Sequence, residues 1–214
     1  MYVPGHFRVT DQATIDAFIR QHDFATLVSW DGARPVASHL LLELQRAEDG
    51  TAWLYGHMSR ANPQWRSFEG TREVLAIFSG PHTYVSAGWY GHANVPTWNY
   101  LAAHVYGVPE LITGSDDLKA MLKRLVDRHE AAAGATPPYR MEGLPDGYVD
   151  KELRGVAGFR IRVTQMEAGF KLSQNRTGQD YDAVIAGLET RGDENSMAIA
   201  RAMRAAGPAR RAGS

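Results

Sequence analysis

The dipeptide Asp31-Gly32 constrains this chain more than any other local feature. It separates residues 24–30 from residues 35–44, two apolar-rich runs of strand-like composition. An Asp-Gly pair between such runs favours the tight turn of an antiparallel hairpin. Further strand signals follow at 51–55, 74–78, 83–86 and 98–108, the last carrying on toward Leu111-Ile112. At 156–164, Phe159, Ile161 and Val163 alternate with Arg160, Arg162 and Thr164, which predicts a half-exposed strand. A turn at Ala168-Gly169 and a final extended piece over 170–176 are expected after it. Many short strands with few helices between them predict an antiparallel β-barrel with peripheral helices, an α+β fold.

The helices are punctuated by their own signals. Thr10-Asp11 starts one whose apolar face is Ile15, Phe18 and Ile19. Asn62-Pro63 starts a short one, expected to end near Glu69-Gly70, because Asn caps free amides and Pro suits the first helical position. Ser115-Asp116-Asp117 caps a third, with Leu118, Met121, Leu122, Leu125 and Val126 as its buried stripe. The small-residue and Pro-rich segment 131–145 reads as a mobile connection. Toward the C terminus the pattern is helical, with Val184, Ile185 and Leu188 on one face and Met197, Ile199 and Met203 on another.

Composition removes several classes of chemistry. There is no cysteine among the 214 residues, so disulfides, thiol catalysis and thiolate metal sites are excluded. A formal net charge of −1 gives no general attraction for nucleic acid or anionic membrane. The longest aliphatic run, Leu40-Leu41-Leu42, is far short of a membrane span, and residues 1–7 lack a signal-peptide pattern. The expected location is the cytoplasm. No histidine pair has H-x-x-x-H or H-E-x-x-H spacing, and no G-x-G-x-x-G, P-loop or G-x-S-x-G motif occurs. No residue is singled out as catalytic.

The segment 78–100 sets two Trp and three Tyr among Ser, Thr, Asn and His. Broad aromatic faces mixed with hydrogen-bonding groups suit a flat, polar-edged ligand. Three constellations carry the chemistry. In the first, His57-Met58-Ser59-Arg60-Ala61-Asn62-Pro63 leaves a strand and turns into a helix, so an anion would meet the Ser59 hydroxyl, the Arg60 guanidinium and free helix-start amides. A capped surface helix beside a solvated Arg60 fits the same spacing. In the second, Thr97 and Asn99 fall on one strand face and Trp98 and Tyr100 on the other, suiting a heterocycle on one side and core or a partner subunit on the other. Packed aromatics with exposed polar neighbours fit it equally. The third is Lys171-Leu172-Ser173-Gln174-Asn175-Arg176, whose two cations and three polar side chains suit an anion or the rim of a ring system, or simply a charged strand end.

Taken together, these segments resemble the PaiB family of FMN-binding negative transcriptional regulators. Met1-Tyr-Val-Pro-Gly-His-Phe7, Gly56-His-Met-Ser-Arg-Ala-Asn-Pro-Gln-Trp65, Phe78-Ser-Gly-Pro-His82, Val95-Pro-Thr-Trp-Asn-Tyr100, Lys171-Leu-Ser-Gln-Asn-Arg176 and Val184-Ile-Ala-Gly-Leu188 carry the likeness in that order. The chain departs from the family pattern at Leu41 and at Ala87-Gly88, where Pro and Pro-Ser are frequent. The resemblance implies a split β-barrel of the flavin-binding, pyridoxamine-phosphate-oxidase-like type, with FMN in a groove between the subunits of a homodimer. It makes Ser59 and Arg60 the phosphate ligands, with His57, Met58 and Asn62 beside them. Thr97, Trp98 and Asn99 become ring and ribityl contacts, joined by Lys171, Ser173, Gln174, Asn175 and Arg176 from either subunit.

The expected organisation is a flavin-binding barrel over 1–176 with a helical insertion at about 115–155, a helical segment over 177–206 and a flexible tail over 207–214. The expected function is that of a flavin-dependent oxidoreductase or redox-linked regulator with an unidentified small-molecule substrate. Two alternatives stand beside it. A repressor would bind DNA directly or through a partner, but only Arg201, Arg204, Arg210 and Arg211 offer it a basic cluster, and no helix-turn-helix is evident. A haem-handling protein would draw an axial ligand from His39, His57, His82, His92 or His104.

Overall fold

The computed structural model describes residues 1–68, 72–176 and 178–208. Contacts gather into two compact units, one of residues 23–77 and 105–165, the other of residues 1–22, 78–104 and 166 onward. Strands β1 (Arg8–Val9), β2 (Phe24–Trp30), β3 (Pro35–Arg46), β4 (Ala52–Ser59), β5 (Val74–Val85), β6 (Thr97–Leu111) and β7 (Val156–Lys171) form one sheet. Their hydrogen-bonded order is β1-β7-β4-β3-β2-β5-β6, and β7 also bonds to β6, which closes the ring expected of a split β-barrel.

The first unit is built from the hairpin outward. Strands β2 and β3 pair from Phe24 with Leu41 to Trp30 with Pro35. At the turn the Asp31 carboxylate accepts from the amides of Ala33 (2.8 Å) and Arg34 (2.9 Å), while Gly32 takes φ 103°. Strand β4 then pairs with β3 on one side and β7 on the other. Gly56 sits between them because a Cβ there would lie 2.6 Å from Leu42 and 2.8 Å from Phe159, so the missing side chain lets these two meet. Leu27, Leu42, Leu54, Phe159 and Ile161 are all buried. Each such side chain contributes about 1.5–3 kcal/mol by leaving water.

Helix α2 (Ser115–Ala133) takes its cap one residue before the expected Ser115. Gly114 is the N-cap and makes no side-chain bond, whereas Asp116 and Asp117 lie in the first turn, where the helix dipole favours them. Its buried residues are Leu118, Met121 and Leu125; Leu122 and Val126 are only half-buried. Leu118 rests on Gly158, where a Cβ would come within 2.3 Å of it. Helix α2 stops at Gly134, which takes the left-handed conformation. Helix α3 (Tyr148–Leu153) follows and adds Leu153 to the apolar cluster of Leu118 and Met121.

The second unit packs helices around strand ends. Helix α1 (Gln12–Gln21) is capped by Asp11, whose carboxylate accepts from the Thr14 amide at 2.8 Å, and it buries Ile15, Phe18 and Ile19 as the spacing predicts. Helices α4 (Gly178–Arg191) and α5 (Glu194–Ala206) bury Val184, Ile185 and Leu188 with Ile199, Ala200 and Met203 in one cluster. The Tyr181 hydroxyl ties them by donating to the Met203 carbonyl at 2.6 Å, and burial pushes its pKa up to about 12.

Three local expectations change. Residues 74–85 are one strand, not two, so Gly80-Pro81 interrupts nothing. No turn occurs at Ala168-Gly169, since both residues pair with β1 inside a strand that runs on to Lys171. Strand β4 continues four residues beyond Tyr55, as far as Ser59. Glu69-Gly70, the expected end of the second helix, and most of the expected tail lie outside the described residues. No helix among the described residues is long and apolar enough to cross a membrane.

Candidate functional site

The first unit holds His57, Met58, Ser59, Arg60 and Asn62 together. The first three are the last rungs of β4, paired with Gly158, Ala157 and Val156 of β7. Alternation then decides what each side chain can touch. Met58 is 3% exposed and belongs to the core. His57 is half-buried, and its Nδ1 is buried with no protein partner. Burial holds its pKa below the ordinary 6.5, so the ring is neutral at physiological pH. Ser59 is exposed and its hydroxyl accepts from the Ala61 amide at 3.2 Å.

Arg60 leaves the strand in a fixed attitude. Its amide donates to the Gly155 carbonyl at 2.8 Å, and its carbonyl accepts from the Trp65 indole at 3.0 Å. The guanidinium carbon lies 5.6 Å from the Trp65 ring centroid. Asn62 caps the following turn by accepting from the Gln64 amide at 3.0 Å, and its Nδ2 donates to Ser38 at 2.8 Å. That turn is a 3-10 helix of five residues, Pro63–Ser67, not the expected α-helix. Five residues in 3-10 geometry carry little macrodipole, so anion affinity here rests on Ser59, Arg60 and their neighbours. Arg60 and Trp65 line a cavity of about 340 Å³ with Thr113, Ser115 and Arg154. Arg154 had no sequence signal, since it stands in no motif and reaches the cavity only through the placement of α3.

The second unit holds Thr97, Trp98, Asn99 and the segment 171–176. Asn99 is fully buried, and its Nδ2 donates to the Ser173 hydroxyl at 3.0 Å. Ser173 has φ 60°, the one positive value at a non-glycine among the described residues. Left-handed backbone at such a residue costs roughly 1–3 kcal/mol and persists where surroundings fix it. Here Asn99 fixes it from one side and Gln174 from the other: the Gln174 side chain accepts from the Leu172 amide (2.8 Å) and donates to the Phe170 carbonyl (2.6 Å). Asn175 is exposed at the apex. The Lys171 ammonium donates to the Thr97 hydroxyl at 2.5 Å and stands 5.9 Å from the Phe7 ring. Burial, then the nearby Arg176 charge, lowers the Lys171 pKa.

Trp98 is 54% exposed on the opposite strand face, with its ring centroid 6.3 Å from His82 and 6.1 Å from Tyr84. The Arg176 guanidinium carbon lies 4.9 Å from the Tyr90 ring, and the buried Tyr90 hydroxyl has no protein partner. Tyr90 lies in the aromatic segment already noted, but nothing in the spacing distinguishes it from its neighbours. No group of three or more His, Asp or Glu side chains placed to hold a metal occurs among the described residues.

Residues 1–165 match the family described as "Putative FMN-binding domain". The chain is 37% identical over 203 residues to the protease synthase and sporulation protein PAI 2 of Bacillus subtilis, covering 95% of this chain and 96% of that one. A solved structure, the flavocytochrome Anf3 from Azotobacter vinelandii, aligns with TM-score 0.61 at 18% identity, over 85% of this chain and 78% of that one. The FAD- and haem-binding protein of Mycobacterium smegmatis aligns with TM-score 0.55 at 20% identity, over 77% and 73%. These two likenesses are in the fold.

Proposed function

Since this chain belongs to the FMN-binding-domain family, with FMN as its cofactor, we propose that it is a redox-active flavoprotein, a flavin-dependent oxidoreductase or a redox-linked regulator. The observation that carries the reading is the Arg60 corner: a guanidinium against the Trp65 ring, directly after an exposed serine hydroxyl, with Arg154 lining the same cavity and the lining carboxylate, Asp150, held by Lys119 at 3.3 Å. Two cations with hydroxyl donors around them suit a phosphate monoester. The donor set fits FMN.

Ser59 and Arg60 hold the phosphate, with Arg154 adding charge, and the unpaired Nδ1 of His57 is available to a ligand atom or a water. Asn62 orients this corner by fixing the turn behind it. Met58 packs beneath. Asn99 and Ser173 serve as the frame that presents Thr97, Gln174 and Asn175 to the ring and ribityl chain. Trp98 offers its exposed face to the ring or to a partner subunit. FMN itself supplies hydride and electron transfer, so no acid–base pair of the chain is required. The active form is a homodimer with FMN at the subunit interface. The name of the Bacillus relative includes a role in sporulation; a redox-linked regulator accommodates such a role without a DNA-reading element.

The test is the visible spectrum of the purified protein after FMN is added and the excess removed, with light scattering on the same sample. Retained flavin bands on a particle of twice the chain mass support the reading. A Soret band in place of flavin bands, or a salt-dependent shift of duplex DNA by flavin-free protein, overturns it.

A further inference from the structure

We propose that Lys171, Arg176 and the Tyr90 hydroxyl form a second anion site, which receives the oxyanion group, a carboxylate or a phosphate monoester, of the small molecule that meets the flavin. The inference deepens the flavoprotein reading by naming a substrate class. It rests on that reading only for the reaction partner.

The charge balance carries the argument. Lys171 and Arg176 are both half-buried, and neither pairs with a carboxylate among the described residues. The acids nearest in sequence are engaged elsewhere: Glu167 pairs with the Met1 ammonium, and Asp180 with the Gly91 amide at 3.3 Å and His92 at 3.6 Å. Two uncompensated cations drawn out of water repel one another, and a protein keeps such a pair where an anion is to be bound. Burial, and after it the Arg176 charge, lowers the Lys171 pKa, in keeping with that arrangement.

The hydroxyl of Tyr90 points the same way. The residue is 8% exposed, yet its oxygen has no protein partner, and the Arg176 guanidinium lies against its ring. A buried hydroxyl without a partner costs free energy unless a ligand or a water completes it. The surrounding frame is rigid. Ser173 is held left-handed by its bond to Asn99, Gln174 ties the turn to its Lys171 flank through Leu172 and Phe170, and the Arg176 amide closes the other flank by donating to the Ser173 carbonyl at 3.0 Å. The strain is therefore spent on fixing the spacing of two cations. Neither Lys171 nor Arg176 lines the Arg60 cavity.

The experiment titrates FMN-loaded wild-type protein with inorganic phosphate and, in parallel, with succinate, at constant ionic strength. Binding is read by isothermal calorimetry and by the flavin difference spectrum. Saturable binding of phosphate, succinate or both is expected, and the stronger of the two identifies the oxyanion. Lys171→Met and Arg176→Met should each weaken it roughly 10- to 100-fold, the range for a hydrogen bond to a charged group. Lys171→Arg should restore most of the loss. Lys151→Met, an exposed cation outside both sites, sets the size of the unspecific effect. Tyr90→Phe keeps the packed ring and removes only the unpaired hydroxyl, so it should fold as wild type and still weaken the anion. If neither anion saturates, or if Lys171→Met and Arg176→Met weaken FMN and leave the anions unchanged, the site serves the cofactor alone and the proposal fails. If the protein retains no FMN but binds phosphate by calorimetry with the same variant pattern, the anion site stands and the flavoprotein reading falls.

Discussion

Asn99 holds Ser173 in a left-handed conformation from a position 74 residues earlier in the chain, through a 3.0 Å bond buried completely from solvent. The pair joins the start of β6 to the turn after β7, and the cations of 171–176 depend on it for their placement. Asn99→Ala should lower stability by about 1–3 kcal/mol, because the Ser173 hydroxyl is left buried without its partner. Urea unfolding measures that loss. A variant as stable as wild type would show that the turn is held by Gln174 alone.

Arg60→Ala should weaken FMN by about 1.5–3 kcal/mol, the range for a hydrogen bond to a charged group. Riboflavin lacks the phosphate and should be almost indifferent to the change. Fluorescence titration with both ligands decides it, and equal losses would move the phosphate elsewhere.

Stability should fall as the medium is acidified below about pH 6.5, the ordinary histidine value. His57 is held low by burial. His104 is held low by burial and by the Met1 ammonium, with Glu167 partly opposing. A base whose folded pKa is depressed binds more protons when unfolded, so its contribution is present above the unfolded value and is lost as pH falls through the folded one. His57→Gln should flatten that slope in thermal unfolding at about pH 5.5 to 7.5, one unit either side of the ordinary value. An unchanged slope would mean that burial does not lower the His57 pKa in the fold.

Gly158→Ala should cost about 1–3 kcal/mol, the range for overpacking, because the added methyl meets Leu118 where only a hydrogen fits. Leu118→Ala in the same chain should return part of it. Additive losses in the double variant would show that α2 does not press on β7 at this point.

Lys171→Met should make the ligand-free protein more stable while weakening the anion. It removes a half-buried cation that faces Arg176. Thermal unfolding with and without phosphate should show the two effects with opposite sign.

The sheet was largely legible because its signals are local. Asp31-Gly32, the alternation at 159–164 and the Asp11 cap each act within a few residues, and the strands and helix they predict are present. What was not legible depends on partners far along the chain. Gly80-Pro81 looks like a break but stays in strand, and Ala168-Gly169 looks like a turn but pairs with β1. The helix expected after Asn62-Pro63 shrinks to a 3-10 turn although its capping bond forms as expected. For the candidate site the sequence offers residue types but not directions. Asn99 and Ser173 face inward toward each other, Met58 is core, and Arg154 enters only once α3 is placed.

Trp65 gives its indole N–H to the carbonyl of Arg60 and its ring to the same residue's guanidinium. The proposed phosphate anchor is thus wired to a fluorophore that the protein already contains. Oxidised flavin absorbs where tryptophan emits, so cofactor arrival at this corner should darken Trp65 by energy transfer. A small anion such as sulfate, transparent in that range, would act on its emission through the guanidinium groups against the ring, Arg60 at 5.6 Å and Arg66 at 5.2 Å. The molecule can report which of its two arriving groups, ring or phosphate, has reached the Arg60 corner, with no label attached.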